Sequence, residues 1–328
     1  MAASISCLEE LDQLVRSTYQ LWEAGWGTFN WRNYTYDHVQ RVRGLALSLA
    51  RLENADPLVT ELSALLHDIT KAYDGEYLAD AQGKRLLDTQ GFWRCNTRLP
   101  LGLNEVTQLY DRLTLSGQVH SSSSAALAWH LLRKRGYPHS VREQVSEAIS
   151  EHLGPRKDAS IASLCLYDAD LIDANIGLPA FIRNIYIHQH FYDLRRTTAQ
   201  PSMADLLKEN PRTYLEPYIR ETLTRWIEGK ARDFPPQLRT SAARALAEAR
   251  LSHLQAFAGQ LALELDAWEQ NIRTGSLAVM IYLMQRGDDP SIAAEIDVLT
   301  NGWANQAGLS AQTRRFILAL ASEASGTI

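Results

Sequence analysis

At 328 residues the chain can bury a sizeable core, and a composition of 45% hydrophobic and 22% charged residues excludes a largely disordered polymer. Its 33 basic residues are outnumbered by 38 acidic ones, a formal charge of −5 that excludes a broad nucleic-acid surface built on counterion release from phosphates. The longest apolar run, Leu277–Met284, falls far short of the roughly 20 residues needed to span a membrane. Glu9 and Glu10 stand where a signal peptide carries basic residues, and Cys7, Cys95 and Cys165 are odd in number, widely spaced and without a CxxC pair. The expectation is a reduced, cytoplasmic protein with neither a disulfide framework nor a thiolate zinc site.

Apolar residues at three- and four-residue spacing, between sparse Gly and Pro, predict an all-α fold. We expect an N-terminal helical segment over 1–30, a main helical domain over 31–190 and a C-terminal helical extension over 191–328. From Tyr36 to Leu52 one stripe carries Val39, Val42, Leu45, Ala46 and Leu49, with Asp37 as the cap. Pro57 suits the first turn of a helix bearing Leu58, Leu62, Leu65 and Leu66. Between Ala72 and Val119, Gly75, Gly83, Gly91, Pro100, Gly102 and Gly117 interrupt every periodic run, which predicts an irregular, lid-like insertion over 72–119. Helices follow at Ser121–Arg135, with Ser121 to Ser124 at the N-terminus, at Val141–His152 and at Ala159–Asn175. Beyond Pro179 the pattern predicts helices at Ala180–Leu194, Leu215–Arg232, Gln237–Gln270, Leu277–Arg286, Ser291–Leu299 and Ala311–Ser322.

Several histidines and aspartates fall on apolar helix faces. His38 shares the face of Val42, Leu45 and Leu49, and His67-Asp68 follows Leu65-Leu66. His120 immediately precedes the serine run, His152 ends the helix striped by Val145, Ala148 and Ile149, and Asp170 interrupts the apolar stretch Leu164–Ile172. A buried carboxylate is costly unless it is paired or bound to a metal, so this set predicts a metal site. Imidazole and carboxylate donors without thiolate suit Mn, Fe, Ni, Co or Zn.

In this order the residues resemble the HD superfamily of metal-dependent phosphohydrolases, whose pattern is a histidine, a His-Asp pair, often two further histidines and a late aspartate. Here these are His38, then Leu65-Leu66-His67-Asp68-Ile69, His120, His152, and Asp170 within Tyr167–Asp173, at spacings of 29, 52, 32 and 18 residues. The long interval holds the insertion, and the resemblance extends over roughly residues 30 to 190. It implies that His38, His67, Asp68 and Asp170 hold one divalent metal and that His120 and His152 complete a second, with Asp68 bridging. For these two middle histidines, His120 above all, the alternative is contact with substrate phosphate. Asp168 is the alternative to Asp170, which is preferred because it follows Ala and precedes an apolar residue. Lys71 in His-Asp-Ile-Thr-Lys is similar to the family's His-Asp-Ile-Gly-Lys, where the lysine reaches a phosphate, and Arg41, one turn after His38, is a second candidate for that task.

The resemblance thus implies an HD-domain hydrolase that cleaves a phosphoester or phosphoanhydride, with a nucleotide as the expected substrate class and one or two divalent metals. Asp68, Lys71 and Arg41 are the expected catalytic residues, and Arg94, Arg98 and His120 the expected contacts of a small phosphorylated substrate. The insertion carries Arg85, Arg94, Arg98 and Arg112 with Phe92, Trp93 and Tyr110, a mixture able to grip an anionic, partly aromatic molecule. Trp22, Trp26, Trp31, Tyr34 and Tyr36 are expected in the core rather than against a substrate ring. His130, His139 and His253 lie outside the pattern, and His188 and His190, two apart on a helix, share a face poorly. The alternatives are a di-iron oxygenase resembling inositol oxygenase, which uses the same ligand set and also has a lysine after the His-Asp pair, and a regulatory module. The C-terminal helices are candidates for a homo-oligomer contact.

Overall fold

The computed structural model describes residues 2–24, 31–87, 91, 93–286, 289–306 and 308–326, with the side chains of 2–6 excepted. Trp26 and Phe92 lie outside these residues. The chain divides into two compact units, Met1–Asp170 and Leu171–Ile328. Among the described residues both are helical, apart from one two-stranded ribbon in the first. Among the described residues no helix is long and apolar enough to cross a membrane.

The first unit begins with α1 (Ala2–Tyr19), α2 (Arg32–Glu53) and α3 (Pro57–Leu66). The stripe that defines α2 packs as its spacing requires: Val39, Val42, Leu45, Ala46 and Leu49 have no exposed surface, nor do Leu62, Leu65 and Leu66 of α3. Burying each such side chain contributes about 1.5–3 kcal/mol, so this seam anchors the elements that carry the first ligands. α2 starts at Arg32, with Trp31 extended before it, so Asp37 is a buried residue inside the helix and not its cap. Asn54, in the left-handed conformation at φ 57°, ends α2, and its N–H donates to the Ala50 carbonyl. Asp56 then caps α3, accepting from the Leu58 and Val59 N–H groups, with Pro57 in the first turn.

The insertion is more ordered than its glycines suggest. Strands β1 (Asp74–Tyr77) and β2 (Cys95–Thr97) pair antiparallel, and bridges at Ala79–Arg85 and Leu87–Trp93 extend the ribbon outward. A Cβ on Gly75 would strike Asn96 Oδ1, so glycine here permits the close approach of the strands. α4 (Glu105–Arg112) follows, begun by a capping box in which Asn104 accepts from the Thr107 N–H and Thr107 Oγ1 accepts from the Asn104 N–H. Strands of four and three residues and a helix of eight are too short to register in a periodicity window.

α5 (His120–Lys134), α6 (His139–Glu151) and α7 (Ile161–Asn175) complete this part of the chain, and the division between the units falls within α7. α5 starts at His120 itself, after Val119, and no side chain caps it. The serine run is therefore not a cap: Ser121, Ser123 and Ser124 are buried on the body of the helix.

The second unit contains α8 (Leu178–Arg195), α9 (Met203–Glu209), α10 (Pro211–Pro217), α11 (Thr224–Asp233), α12 (Ser241–Asp266), α13 (Trp268–Thr274), α14 (Ser276–Met284), α15 (Ile292–Asp297) and α16 (Ala311–Ala324). Two long helices expected from periodicity are interrupted. Pro217, which lacks an N–H, precedes a π-helical turn at Tyr218–Leu223 between α10 and α11, and Ala267 breaks the Gln237–Gln270 run at φ −115°, ψ 47°. At the start of α8, Gly177 has φ 115°, the Leu178 N–H donates to Glu323 Oε2 at 2.7 Å, and buried Arg250 donates to the Glu323 carbonyl at 3.1 Å.

A Cβ at Gly177 would collide with the Glu323 carboxylate on a backbone that side chains rarely adopt. Gly177→Ala is expected to destabilise the protein by about 1–3 kcal/mol. Calorimetry should read this as a fall in Tm, and an unchanged Tm would contradict the fixed geometry of this turn.

Candidate metal centre

Six side chains from five helical segments of the first unit converge: His38 from α2, His67 and Asp68 just past α3, His120 opening α5, His152 just past α6, and Asp170 from α7. The backbone that presents Asp68 is fastened at its carbonyl, which accepts from the Lys71 N–H at 2.8 Å and from the Tyr19 hydroxyl at 2.6 Å. Burial, and after it the Asp68 charge, hold the Tyr19 phenol well above its ordinary range, so it remains a donor.

Asp68 divides its two oxygens between two pairs of imidazoles. Its Oδ2 lies 3.8 Å from His38 Nε2 and 3.6 Å from His67 Nε2, while Oδ1 lies 3.4 Å from His120 Nε2 and 3.6 Å from His152 Nε2. Asp170 Oδ1 faces the first pair, 3.1 Å from His38 Nε2 and 4.0 Å from His67 Nε2. Asp168 is fully buried on another face of α7 and interacts there. His38, His67 and Asp68 form one group able to hold an ion, and Asp68, His120 and His152 form another.

The donor chemistry fits divalent metal. His67 Nδ1–H donates to the Ala64 carbonyl at 2.7 Å and His152 Nδ1–H to the Ile149 carbonyl at 2.7 Å, because a carbonyl can only accept. Each ring therefore presents its Nε2 lone pair inward. His67 Nε2, His152 Nε2 and Asp68 Oδ1 are buried atoms without a hydrogen-bond partner, and each is a metal-ligating atom. Burial pulls the His67 pKa down to about 4, which keeps the imidazole neutral. Burial pushes Asp68 up, and the Lys71 ammonium opposes it, so the carboxyl stays below its usual range. Asp170 is lowered in the same way, burial being outweighed chiefly by His38.

The serine run locks this geometry. The Thr70 hydroxyl lies 2.7 Å from Ser123 Oγ and 2.9 Å from Ser124 Oγ, and donates to the His120 carbonyl at 3.2 Å, while the Thr70 N–H donates to Ser124 at 3.3 Å. This buried network ties the His67–Lys71 segment to the first turn of α5 and so sets His120 against Asp68. Asp74 adds a further restraint. Its Oδ2 accepts from His120 Nδ1–H at 2.7 Å, which turns the Nε2 lone pair toward Asp68. Burial raises the Asp74 carboxyl, yet His120 and Lys71 hold it below its usual value.

Beside the cluster opens a cleft of about 430 Å³ lined by Lys71, Asp74, Trp93, Arg94, Tyr110 and His120 among others. Lys71 Nζ is within 3.3 Å of both His120 ring nitrogens and 3.5 Å from Asp74 Oδ2. Burial lowers its pKa, but Asp74 and Asp68 outweigh that and hold the ammonium above its ordinary value. Tyr73 and Tyr110 stack at 3.6 Å in the cleft wall. Of the other expected contacts, Arg98 is not among the lining residues, and Arg41 is buried within α2 with its guanidinium 5.1 Å from the Tyr34 ring centre. Arg85 sits between Tyr77 and Trp93, 4.2 and 4.4 Å from the ring centres. Trp22, Trp31 and Tyr34 are core residues. His188 bonds to Tyr214 at 3.1 Å and His253 to Glu323 at 3.0 Å, both in the second unit.

Tyr19, Thr70 with Ser123 and Ser124, and Asp74 were not singled out for the site by sequence. Asp74 alone had a signal, an acidic residue six positions after Asp68 at the mouth of the insertion.

Residues 35–175 match the family described as HD domain, and this part of the chain is an HD domain. HD domains bind divalent metals, and the His/Asp groups described above are able to hold one. No curated protein matches the sequence. Among solved structures, a predicted HD superfamily hydrolase from an uncultured Thermotogales bacterium is 22% identical, at a TM-score of 0.43, over 78% of this chain and 92% of its own. Bacillus subtilis YpgQ, in a selenomethionine structure, is 19% identical at 0.41 over 80% and 95%, and YpgQ in complex with ADP is 18% identical at 0.40 over 80% and 96%.

The depressed His67 pKa predicts an acid-sensitive fold. The folded ring titrates at about 4 and the unfolded one near 6.5, so between these values the unfolded chain binds more protons. Stability is present above that window and is lost as pH falls through it. Denaturant titration of metal-free protein should give a lower unfolding free energy at about pH 5 than at about pH 7. Equal values would contradict a neutral, buried His67.

Proposed function

We propose that the chain is a metal-dependent phosphohydrolase that cleaves a phosphoester or phosphoanhydride of a small phosphorylated molecule, with a nucleotide as the favoured class. The observation that carries this reading is the pairing of Asp68, shared by two sets of inward-facing imidazoles, with a cationic cleft beginning at Lys71. His38, His67, Asp68 and Asp170 would hold one ion, and Asp68, His120 and His152 a second. When bound, the metal lowers the pKa of coordinated water and neutralises phosphoryl charge.

The chain's own groups do the rest. Protonated Lys71 offers a fixed positive charge at the cleft floor, and Arg94 on the ribbon offers a fork that suits phosphate oxygens. Asp74 orients His120 and, through Lys71, keeps the ammonium in place. The stacked Tyr73–Tyr110 pair and Trp93 give the cleft an apolar wall that excludes water from part of the bound molecule. Arg41 and Arg98 are left out of this assignment, because the first is buried against Tyr34 and neither lines the cleft.

A screen of nucleoside mono-, di- and triphosphates, cyclic nucleotides and generic phosphodiesters with manganese, nickel or iron tests the reaction class. Hydrolysis of at least one substrate is the expected outcome, read as phosphate or pyrophosphate from an ester or anhydride and as a phosphomonoester from a cyclic nucleotide or diester. A mixed-valent di-iron signal by electron paramagnetic resonance, with no hydrolysis of any substrate, would move the reading to an oxygenase. Asp68→Ala is expected to lose bound metal and to lower kcat by about a thousandfold or more, since it removes the one ligand common to both positions. Metal occupancy equal to that of the unaltered protein would reject the ligand assignment.

The cleft supplies an independent test. Arg94→Ala is expected to raise KM by about tenfold with unchanged metal content and Tm, whereas Arg98→Ala leaves KM within about twofold. The reverse pattern would place the substrate elsewhere.

A further inference from the structure

A second concave region lies in the HD domain, apart from the metal centre. It is a groove of about 550 Å³ lined by Glu105, Gln108, Leu109 and Arg112 of α4 and by His130, Arg133 and Lys134 of α5. Its volume lies within the range of small-molecule sites and exceeds that of the cleft beside Asp68.

The charges in this groove are unequally satisfied. Glu105 is engaged by Lys134 Nζ at 2.9 Å and by Arg135, from outside the groove, at 3.1 Å. Among the described residues, no carboxylate pairs with the side chain of Arg112 or Arg133. Two guanidinium groups from different helices thus border one concavity that also holds an imidazole, in a chain whose net charge is −5. Burial first, and then the charges of Arg112 and Arg133, pull the His130 pKa below its ordinary value, so both guanidinium groups act on that ring. Cations in a last helical turn do offset the macrodipole, by a few tenths of a kcal/mol each. That role requires neither a shared groove nor a histidine between them.

We infer that the α4–α5 groove binds the phosphate group of a small anionic molecule, through Arg112, Arg133 and His130, at a site separate from the metal centre. Forked guanidinium donors match phosphate oxygens, and a bound anion favours protonation of the His130 ring, which then adds a third charge-assisted hydrogen bond. The site has a direct mechanical connection to the candidate metal centre. Leu109 lines the groove, whereas the next residue, Tyr110, stacks on Tyr73 in the wall of the other cleft, and α5 runs from His120 to the groove's Arg133 and Lys134.

The test is a titration of the full chain with pyrophosphate, followed through the His130 ring resonances by NMR and repeated on the Asp68→Asn variant to separate this site from the metal centre. Saturable shifts with an upward movement of the His130 pKa are expected in both proteins. Arg112→Gln and Arg133→Gln, both at exposed positions, are each expected to weaken binding by about tenfold. Inorganic phosphate and a nucleoside diphosphate form two further arms. Tighter binding of the nucleoside diphosphate than of pyrophosphate assigns a nucleotide, and equal binding assigns the phosphate groups alone. Unmoved His130 resonances, an equal response to chloride at matched ionic strength, or affinity that survives the double substitution would overturn the inference.

Discussion

A carboxylate enclosed by four imidazoles is the constraint on which the HD domain turns. Asp68 is 6% exposed, and the nearest nitrogens of His38, His67, His120 and His152 stand 3.4 to 3.8 Å from its oxygens. At least His67 and His152 have their Nδ1 protons committed to backbone carbonyls, so lone pairs rather than protons face the negative charge. Such an arrangement is unfavourable among themselves and favourable around a cation. The surrounding structure holds it in place: the apolar seam of α2 and α3, the Tyr19 bond to the Asp68 carbonyl, and the hydroxyl network that joins Thr70 to α5.

Those supports also explain what could be read from sequence. The stripes of α2 and α3 are continuous apolar patterns, and burial follows them except at Leu58, which is exposed in the first turn of α3. His38, His67 and His152 were visible because each polar ring intrudes on an apolar stripe, whereas His120, beside the serine run, was legible only through the order of the motif. The serine run was legible as unusual, but not as buried: serine before a helix usually caps it, and only the tertiary partner Thr70, 53 residues away from Ser123, reveals the other use. The ribbon and α4 escaped notice because their pairing is non-local or their length too small, so glycines alone set the expectation there. In the second unit the expected Leu215–Arg232 helix is divided among α10, a π turn and α11, which reflects Pro217, whose effect on the helix depends on how its neighbours repack.

The HD pattern in this chain carries one substitution with structural weight. Threonine occupies the position before Lys71 where the resembling segment has glycine, and its hydroxyl is the hub of the buried network. Glycine there could not join Ser123 and Ser124 through a side chain: the buried Ser124 hydroxyl would lose its side-chain partner, while Ser123 would keep only its bonds to the Val119 and His120 carbonyls. Thr70 and the serines therefore form one unit. Arg85 shows a similar economy: enclosed by Tyr77 and Trp93, it stiffens the ribbon that carries Arg94, and its charge is turned toward aromatic faces.

The ribbon's tip has a consequence for how the chain is put together. Residues 79–85 are exposed, and Asp80 organises the turn by accepting from the Gln82 and Lys84 N–H groups. A single backbone cut at Gln82-Gly83 would leave His38, His67 and Asp68 on one fragment and His120, His152 and Asp170 on the other. Under the proposed ligand assignment, ions held between these residues would then cross-link two separate polypeptides. The exposed turn thus divides the domain into complementary halves, and a split form reassembled by divalent metal becomes a natural format for this protein.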